Sequence, residues 1–437
     1  MVRGRLNWKR RRYHAALYFF QKVISLYPEH LMAQCYVGSS YMGLLQYDDA
    51  VSAFERGLQI RSDAAYCHAR LGRAYMYLSK NKECIDALNR AFRINPKYQQ
   101  KGIYVLALAA AYAGVRDYET SRKFYADAAR LLPGNADTYL GHGWALRNSG
   151  RSQDAEGPLR TAISLRADDP AIHNEPGLTL FDMDRWTEAG QELRQSIKLN
   201  PGNPEPHYSL GLTLGRQERF AEAITEYEET TRLNPDHHDA YYDLGLAYSI
   251  LGNFEKAIKA YEAALRINPA APDLLFLNLS IAYVQCQRWN ESLQTSKRFI
   301  GLKPEEEKGY LYLAIAYSAL DRDVEAIEAY KEALRIQPNS FHAIANLGLS
   351  YLKTEKLPEA VAAFKQAINL NPKEAEALKQ ASDIRVRLGE TYMKLGNSSA
   401  AREQLRILSE ADPNAADELS QIIAAMQEAM ADEARTE

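Results

Sequence analysis

Cysteine is scarce. The four residues, Cys35, Cys67, Cys84 and Cys286, have neither the number nor the spacing of a disulfide framework, nor the CxxC spacing of a zinc site. No disulfide framework is expected, and a reducing compartment follows. Long apolar runs are also absent: stretches such as Ile103 to Ala113 fall well short of the ~20 residues that span a bilayer, so no membrane anchor is expected. Neither sign of charge dominates. With 53 basic and 56 acidic side chains the net charge is -3, which excludes a whole-molecule field drawing the chain to nucleic acid or an anionic membrane. The start, Met1 to Arg12, is basic but lacks the apolar core and small-residue cleavage site of a signal peptide, and a cytoplasmic location is expected.

Hydrophobic residues make up 46% of the 437, enough for burial throughout. The prolines carry the organising signal. Pro201, Pro235 and Pro269 are spaced by 34, as are Pro304, Pro338 and Pro372, while Pro28 to Pro96 and Pro133 to Pro201 are each 68, or two periods. Pro413 closes the series. A 34-residue unit is a solenoid period. Inside each unit, apolar and small residues recur at i, i+3, i+4 and i+7 in two stretches, which predicts two amphipathic helices joined by a tight turn. The clearest copy runs from His238 to Pro269: Tyr241, Leu244, Gly245 and Tyr248 on the first helix, Leu251-Gly252-Asn253 in the turn, then Ala257, Tyr261 and Ala264 on the second.

Across the chain the Leu-Gly pair stands at Leu71-Gly72, Leu210-Gly211, Leu244-Gly245, Leu347-Gly348 and Leu388-Gly389, with glycine alone at Gly38, Gly143 and Gly177. Ala109, Ser280 and Ala314 replace it in sparser copies. A small residue opens the second helix at Ala50, Ala155, Ala189, Ala223, Ala257, Ala326, Ala360 and Ala401, with Cys84, Ser121 and Ser292 as near-equivalents. This pattern closely resembles the tetratricopeptide repeat over nearly the whole chain. The resemblance implies an all-α protein, a right-handed α-solenoid of stacked helix-turn-helix repeats. Its expected organisation is a partial first repeat with a basic N-terminus over 1–30, eleven repeats over 31–413, and a C-terminal capping helix with an acidic tail over 414–437.

Each glycine costs about 0.5–1 kcal/mol relative to alanine inside a helix, so a packing reason is required. Close approach to the small residue of the partner helix, as between Gly245 and Ala257, is the expected one. Residues 1–11 are too short for a whole first helix before Tyr13 to Pro28, which reads as an incomplete copy with an upstream helix or domain missing. That would leave Tyr13, Leu17 and Phe20 uncovered. Extra residues mark irregular joints: three before Gly102, and seven before Ser382 that lengthen one helix within Lys373 to Lys394. Pro158 and Pro176 fall inside expected helices and should break or kink them, placing a bend in 150–180.

No residue set reads as catalytic, cofactor-binding or metal-binding. His237-His238-Asp239 lies at a helix start without further ligands, and a closed site needs four. Asp182 and Asp184 fall in a turn. Gly141-His142-Gly143 lacks the third glycine and preceding strand of a dinucleotide loop. The expected function is therefore non-catalytic: a scaffold binding partner peptides or helices along a groove. The alternative is the regulatory or substrate-recruiting part of a larger enzyme whose catalytic domain lies outside this chain.

In the family the first helix of each repeat lines the concave wall, which typically binds an extended peptide or a partner helix. Positions offset from the core stripe on these helices are the candidate contacts. From Asp273 to Pro372 they are Leu277, Asn278, Ile281, Leu311, Tyr312, Ile315, Asn346 and Leu349, an apolar track with amide and hydroxyl flanks. Nearer the N-terminus they are Arg70, Arg73, Trp144 and Arg147, suited to an acidic segment. The Lys/Asn/Asn/Lys/Arg clamp for chaperone C-termini is not in register, and the asparagine ladder of glycosyltransferase-associated arrays is broken at Tyr312. Residues 1–30 carry seven bases and one acid, residues 408–437 eight acids and one base. Head-to-tail self-association is a further expectation, through Leu419, Ile422 and Ile423 on the uncovered face; membrane and nucleic acid are not expected partners.

Overall fold

The computed structural model describes residues 1–270, 273–370 and 375–436. Pro372 and Lys373 lie outside the described residues. Two compact units divide the chain, Met1–Leu233 and Asn234–Glu437. Each is an all-α stack of helix pairs, an α-solenoid built from repeating helix-turn-helix units.

The first unit holds α1 (Val2–Lys9), α2 (Tyr13–Leu26), α3 (Leu31–Gly43), α4 (Tyr47–Ile60), α5 (Ala65–Tyr77), α6 (Asn81–Ile94), α7 (Gly102–Gly114), α8 (Tyr118–Leu131), α9 (Ala136–Asn148), α10 (Ser152–Leu165), α11 (Pro170–Asp182), α12 (Trp186–Leu199), α13 (Pro204–Arg216) and α14 (Phe220–Leu233). The second holds α15 (His238–Ile250), α16 (Phe254–Ile267), α17 (Asp273–Gln285), α18 (Trp289–Leu302), α19 (Glu307–Ala319), α20 (Asp323–Ile336), α21 (Phe341–Lys353), α22 (Leu357–Asn369), α23 (Ala375–Lys394), α24 (Ser398–Ala411) and α25 (Pro413–Thr436). Within each unit every odd helix packs on the even helix after it, and every even helix on the next odd one.

The turns inside the pairs share one backbone device. A residue with positive φ stands at Arg11, Leu45, Ser79, Arg116, Gly150, Asp184, Glu218, Gly252, Gln287, Asp321, Glu355 and Gly396. The next residue donates its N–H to the carbonyl five positions back, as Asn253 does to Tyr248 at 2.8 Å and Lys80 to Tyr75 at 2.9 Å. This left-handed stop satisfies the last carbonyls of the odd helix and starts the even one.

The repeat glycines do face the expected small residue, since a Cβ on Gly72 would meet the Cys84 carbonyl at 3.3 Å and one on Gly177 that of Ala189 at 3.4 Å, but a large side chain stands nearer still. Ala257 is fully buried in the same interface, but a Cβ on Gly245 would stand 2.5 Å from Cε1 of Tyr261. The same offset of sixteen residues recurs between Gly38 and Phe54, Gly211 and Tyr227, and Gly348 and Phe364, and with leucine between Gly72 and Leu88. A large side chain on the even helix thus fills the space that glycine leaves. Where serine or alanine replaces glycine, the facing small residue can carry a hydroxyl: Ser121 donates to the Ala109 carbonyl at 2.9 Å and Ser292 to the Ser280 carbonyl at 3.3 Å. These buried hydroxyls are satisfied across the helix pair.

Four expectations are corrected. Pro158 and Pro176, each seventh in its helix, do not break α10 and α11, where packing on neighbouring helices offsets the lost hydrogen bond. Residues 2–9 form a helix of eight residues, still short of the thirteen in α3, yet its Gly4 lies over Phe20, which is fully buried and not left uncovered. At the other end, Leu419 and Ile423 are buried against the chain's own last repeat, with Leu419 over Gly389. The apolar faces invoked for head-to-tail association at Phe20 and Leu419 are therefore occupied within the chain. Finally, Cys35 and Cys67, on neighbouring odd helices, form a disulfide, and the reducing compartment drawn from the cysteine count no longer follows.

Candidate binding surface

In the second unit the odd helices present the same positions at each step. Asn278, Tyr312 and Asn346 are sixth in α17, α19 and α21, two residues before Ser280, Ala314 and Gly348 of the tight helix pairs; Ile281, Ile315 and Leu349 follow one residue after. The stack makes them a track because each helix is set against the next by its even partner. Asn278, Ile281, Tyr312, Ile315 and Asn346 are half-buried, and Leu349 is exposed. Leu277 and Leu311 are not open contacts: both are buried, Leu277 beside Phe276 and Phe299, Leu311 with Leu313 and Ala314.

Asn278 Nδ2 donates to the Tyr242 hydroxyl at 3.2 Å, joining α17 to α15. Burial raises the pKa of both Tyr242 and Tyr312, so both hydroxyls stay neutral and can donate or accept. Amide and phenol groups thus stand beside the aliphatic Ile281, Ile315 and Leu349 on three successive odd helices.

The first unit gives its four expected residues different roles. Arg147 is taken up internally, its Nε donating to Glu175 at 2.5 Å and Nη1 to Asp182 at 3.4 Å. It ties α9 to α11. Trp144 meets Tyr118 edge-on, ring centroids 5.4 Å apart. Arg73 lies over the Tyr77 ring and donates to its hydroxyl at 3.4 Å.

Arg70 stands in an aromatic cluster, 5.4 Å from the Tyr66 ring centre and 5.7 Å from that of Trp8. Trp8 packs edge-on against Tyr36 at 5.9 Å, Phe20 stacks on Tyr36 at 4.9 Å, and Arg5 lies over Tyr36. Trp8, Arg5, Tyr36 and Tyr66 were not among the sequence candidates. The signal was Gly4, which precedes Gly38 by one period of 34 and puts Arg5 and Trp8 in register with Arg73 and Met76.

The residues that looked chemical are structural. His237 Nδ1 accepts the Ala240 N–H as a helix cap, and His238 lies against Asp239. Asp184 is a positive-φ turn residue. Among the described residues no cluster of three or more His, Cys, Asp or Glu side chains is placed to hold a metal ion, and no helix is long and apolar enough to cross a membrane. In the first unit, the extra residues before Gly102 form a 3-10 turn, Pro96–Gln100, beside an open groove of about 890 Å³ lined by Phe92, Phe124, Leu131, Asp86, Asp127 and Arg130.

The stacked pairs and the glycine-to-ring lock define a helical-repeat scaffold. Tetratricopeptide repeat models match residues 65–98, 208–272, 307–340 and 351–426, and a TPR repeat model matches 177–218. The chain belongs to the tetratricopeptide repeat family, a class of non-catalytic scaffolds for protein–protein interaction. No curated protein matches it.

Similar solved structures include YrrB, described as a TPR protein with an unusual peptide-binding site, at 20% identity over 44% of this chain and 98% of that one, TM-score 0.39. The C-terminal part of a TPR repeat-containing protein from Cytophaga hutchinsonii matches at 19% over 55% and 98%, TM-score 0.45. The Cut9–Hcn1 structure of the APC/C matches at 14% over 88% and 95%, TM-score 0.40.

Proposed function

We propose that this protein holds a partner protein through an extended or helical segment laid along the odd helices of the second unit, with the track from Asn278 to Leu349 as the main contact. The observation that carries the reading is the repetition: an amide or phenol at the sixth position and an aliphatic residue at the ninth, in three successive odd helices. Scattered exposed apolar residues are ordinary, whereas a continuous strip with regularly spaced hydrogen-bonding groups matches a peptide's alternation of main-chain and side-chain needs. Asn278, Tyr312 and Asn346 supply hydrogen bonds; Ile281, Ile315 and Leu349 supply apolar area; Leu277 and Leu311 support the strip from beneath.

The test is isolation of native complexes with the full chain and with a Leu349→Ser variant at the exposed end of the track, read by quantitative mass spectrometry. Partners held by the track drop out of the variant sample while the variant melts like the wild type. Identical partner sets in the two samples would reject the track.

A further inference from the structure

We infer that the Cys35–Cys67 bond is a covalent staple across the first repeat joint, closed by thiol–disulfide exchange while the chain folds in an oxidising compartment, and that it holds α1–α4 onto the rest of the first unit. The inference is independent of the binding track in the second unit.

The joint has room for two sulfurs. Cys35 is fifth in α3, Cys67 is third in α5, and Gly57 is eleventh in α4, which packs on both helices. A Cβ on Gly57 would stand 3.1 Å from the Cys67 sulfur and 3.4 Å from that of Cys35. The eleventh residue of the later even helices in this unit always carries a side chain: Ala91, Ala128, Ala162, Ser196 and Thr230, all fully buried. At the joint of α9, α10 and α11 the same three places hold Leu140, Ala162 and Ile172, which pack together. Cysteine, glycine and cysteine supply less apolar volume than leucine, alanine and isoleucine. The covalent bond stands in for packing that this other joint obtains from side chains.

Burial fixes when the bond forms. Cys35 is 1% exposed and Cys67 0%, so neither sulfur is open to an oxidant or a reductant in the folded unit. Exchange requires a thiolate to reach the sulfur it attacks, so the bond closes before the joint does and is shielded afterwards. The Cys35 thiolate attacks an oxidant disulfide and releases one thiol; the Cys67 thiolate then attacks the Cys35 sulfur of the mixed disulfide and releases the second. Two protein thiols lose two electrons, and the oxidant, a small-molecule or oxidoreductase disulfide, gains them with two protons. Such bonds persist in oxidising compartments and are rare in reducing ones. The other two cysteines stay out of the exchange. Burial pushes the Cys84 thiol up to about 12, and burial with the neighbouring Glu255 raises that of Cys286.

The staple acts locally. Stacked repeats contact only their neighbours, so the order of α1–α4 at the end of the stack rests on the joint that the bond crosses. The bond links residues 32 apart in sequence, and closing a loop of that length removes much of the freedom the end would gain on opening.

The test starts with the protein in the cells that make it, acid-quenched, with free thiols alkylated by a light reagent and bridged ones by a heavy reagent after reduction. Mass spectrometry is expected to find the heavy label on Cys35 and Cys67 and the light one on Cys84 and Cys286. Light label on Cys35 and Cys67 overturns the proposal. Relative to the purified oxidised chain, Cys35→Ala/Cys67→Ala is expected to exchange amide hydrogens in residues 2–60 about tenfold or more faster and to leave α15–α22 unchanged. Equal exchange, or protection lost in both units, overturns the staple. Gly57→Ala separates the bond from ordinary packing. It is expected to lower the melting temperature of the oxidised wild type by crowding the sulfurs, and to raise that of the Cys35→Ala/Cys67→Ala chain, where the space is free. A shift of the same sign in both backgrounds contradicts the proposal.

Discussion

A Cβ placed on Gly245 would stand 2.5 Å from Cε1 of Tyr261, closer than real side chains approach. The pair is the local rule of the stack: the odd helix gives up a side chain so that the even helix can send a ring across the interface sixteen residues later. The helix-propensity cost of the glycine is offset by the buried ring, since Tyr261 is fully buried.

Gly245→Leu is expected to destabilise the second unit by about 1–3 kcal/mol through overpacking. Gly245→Ala combined with Tyr261→Leu should cost less than the sum of the two single changes, because the smaller side chain vacates the space the methyl needs. Thermal or urea melts of the four proteins give the coupling directly.

The turn residues make a prediction of opposite sign. Leu45 has φ 62° and is exposed, so Leu45→Gly should stabilise by about 1 kcal/mol through removal of left-handed strain. Gly252, with φ 74° and open space around it, should lose about 1 kcal/mol on conversion to alanine. Denaturant melts check both.

Arg147→Gln should destabilise the first unit by about 2 kcal/mol or more, because it strands Glu175, a buried carboxylate with 9% of its side chain exposed. Restoring neutrality with Glu175→Gln in the same chain should recover part of the loss. Partner affinity should not change beyond what stability explains, since Arg147 is committed to α11.

His142 supplies a pH dependence. Burial, then the nearby Arg122, lowers its pKa in the fold. A depressed folded value means that the contribution to stability is present above the ordinary histidine value, near pH 6.5, and is lost as pH falls through the folded value. Melts of His142→Gln below about pH 6.5 should therefore fall less steeply with acid than those of the wild type.

Most of the fold was legible because it repeats. The 34-residue proline and glycine spacing locates the helix pairs, and it extends to Gly4, one period before Gly38, although the segment before Tyr13 is short. What a period does not encode is which side chain of the facing helix lies nearest, so Ala257 was expected where Tyr261 stands. Nor does it encode pairing across repeats. Arg147 and Glu175 are 28 residues apart, Cys35 and Cys67 are 32 apart, and both contacts join neighbouring odd helices at unlike positions. Leu277 and Leu311 lie at the edge of the core stripe, where a small rotation of the helix decides between buried and open, and composition alone does not fix that rotation.

The most direct measurement of the central claim is calorimetric titration of the full chain with peptides selected against it from a random display library, repeated with Asn346→Ala/Leu349→Ser. The account predicts that the double change weakens binding of the dominant selected peptides about tenfold or more with an unchanged melting curve, since it removes one hydrogen-bonding and one apolar contact from the same rung. Peptides that bind the variant as tightly as the wild type would contradict it.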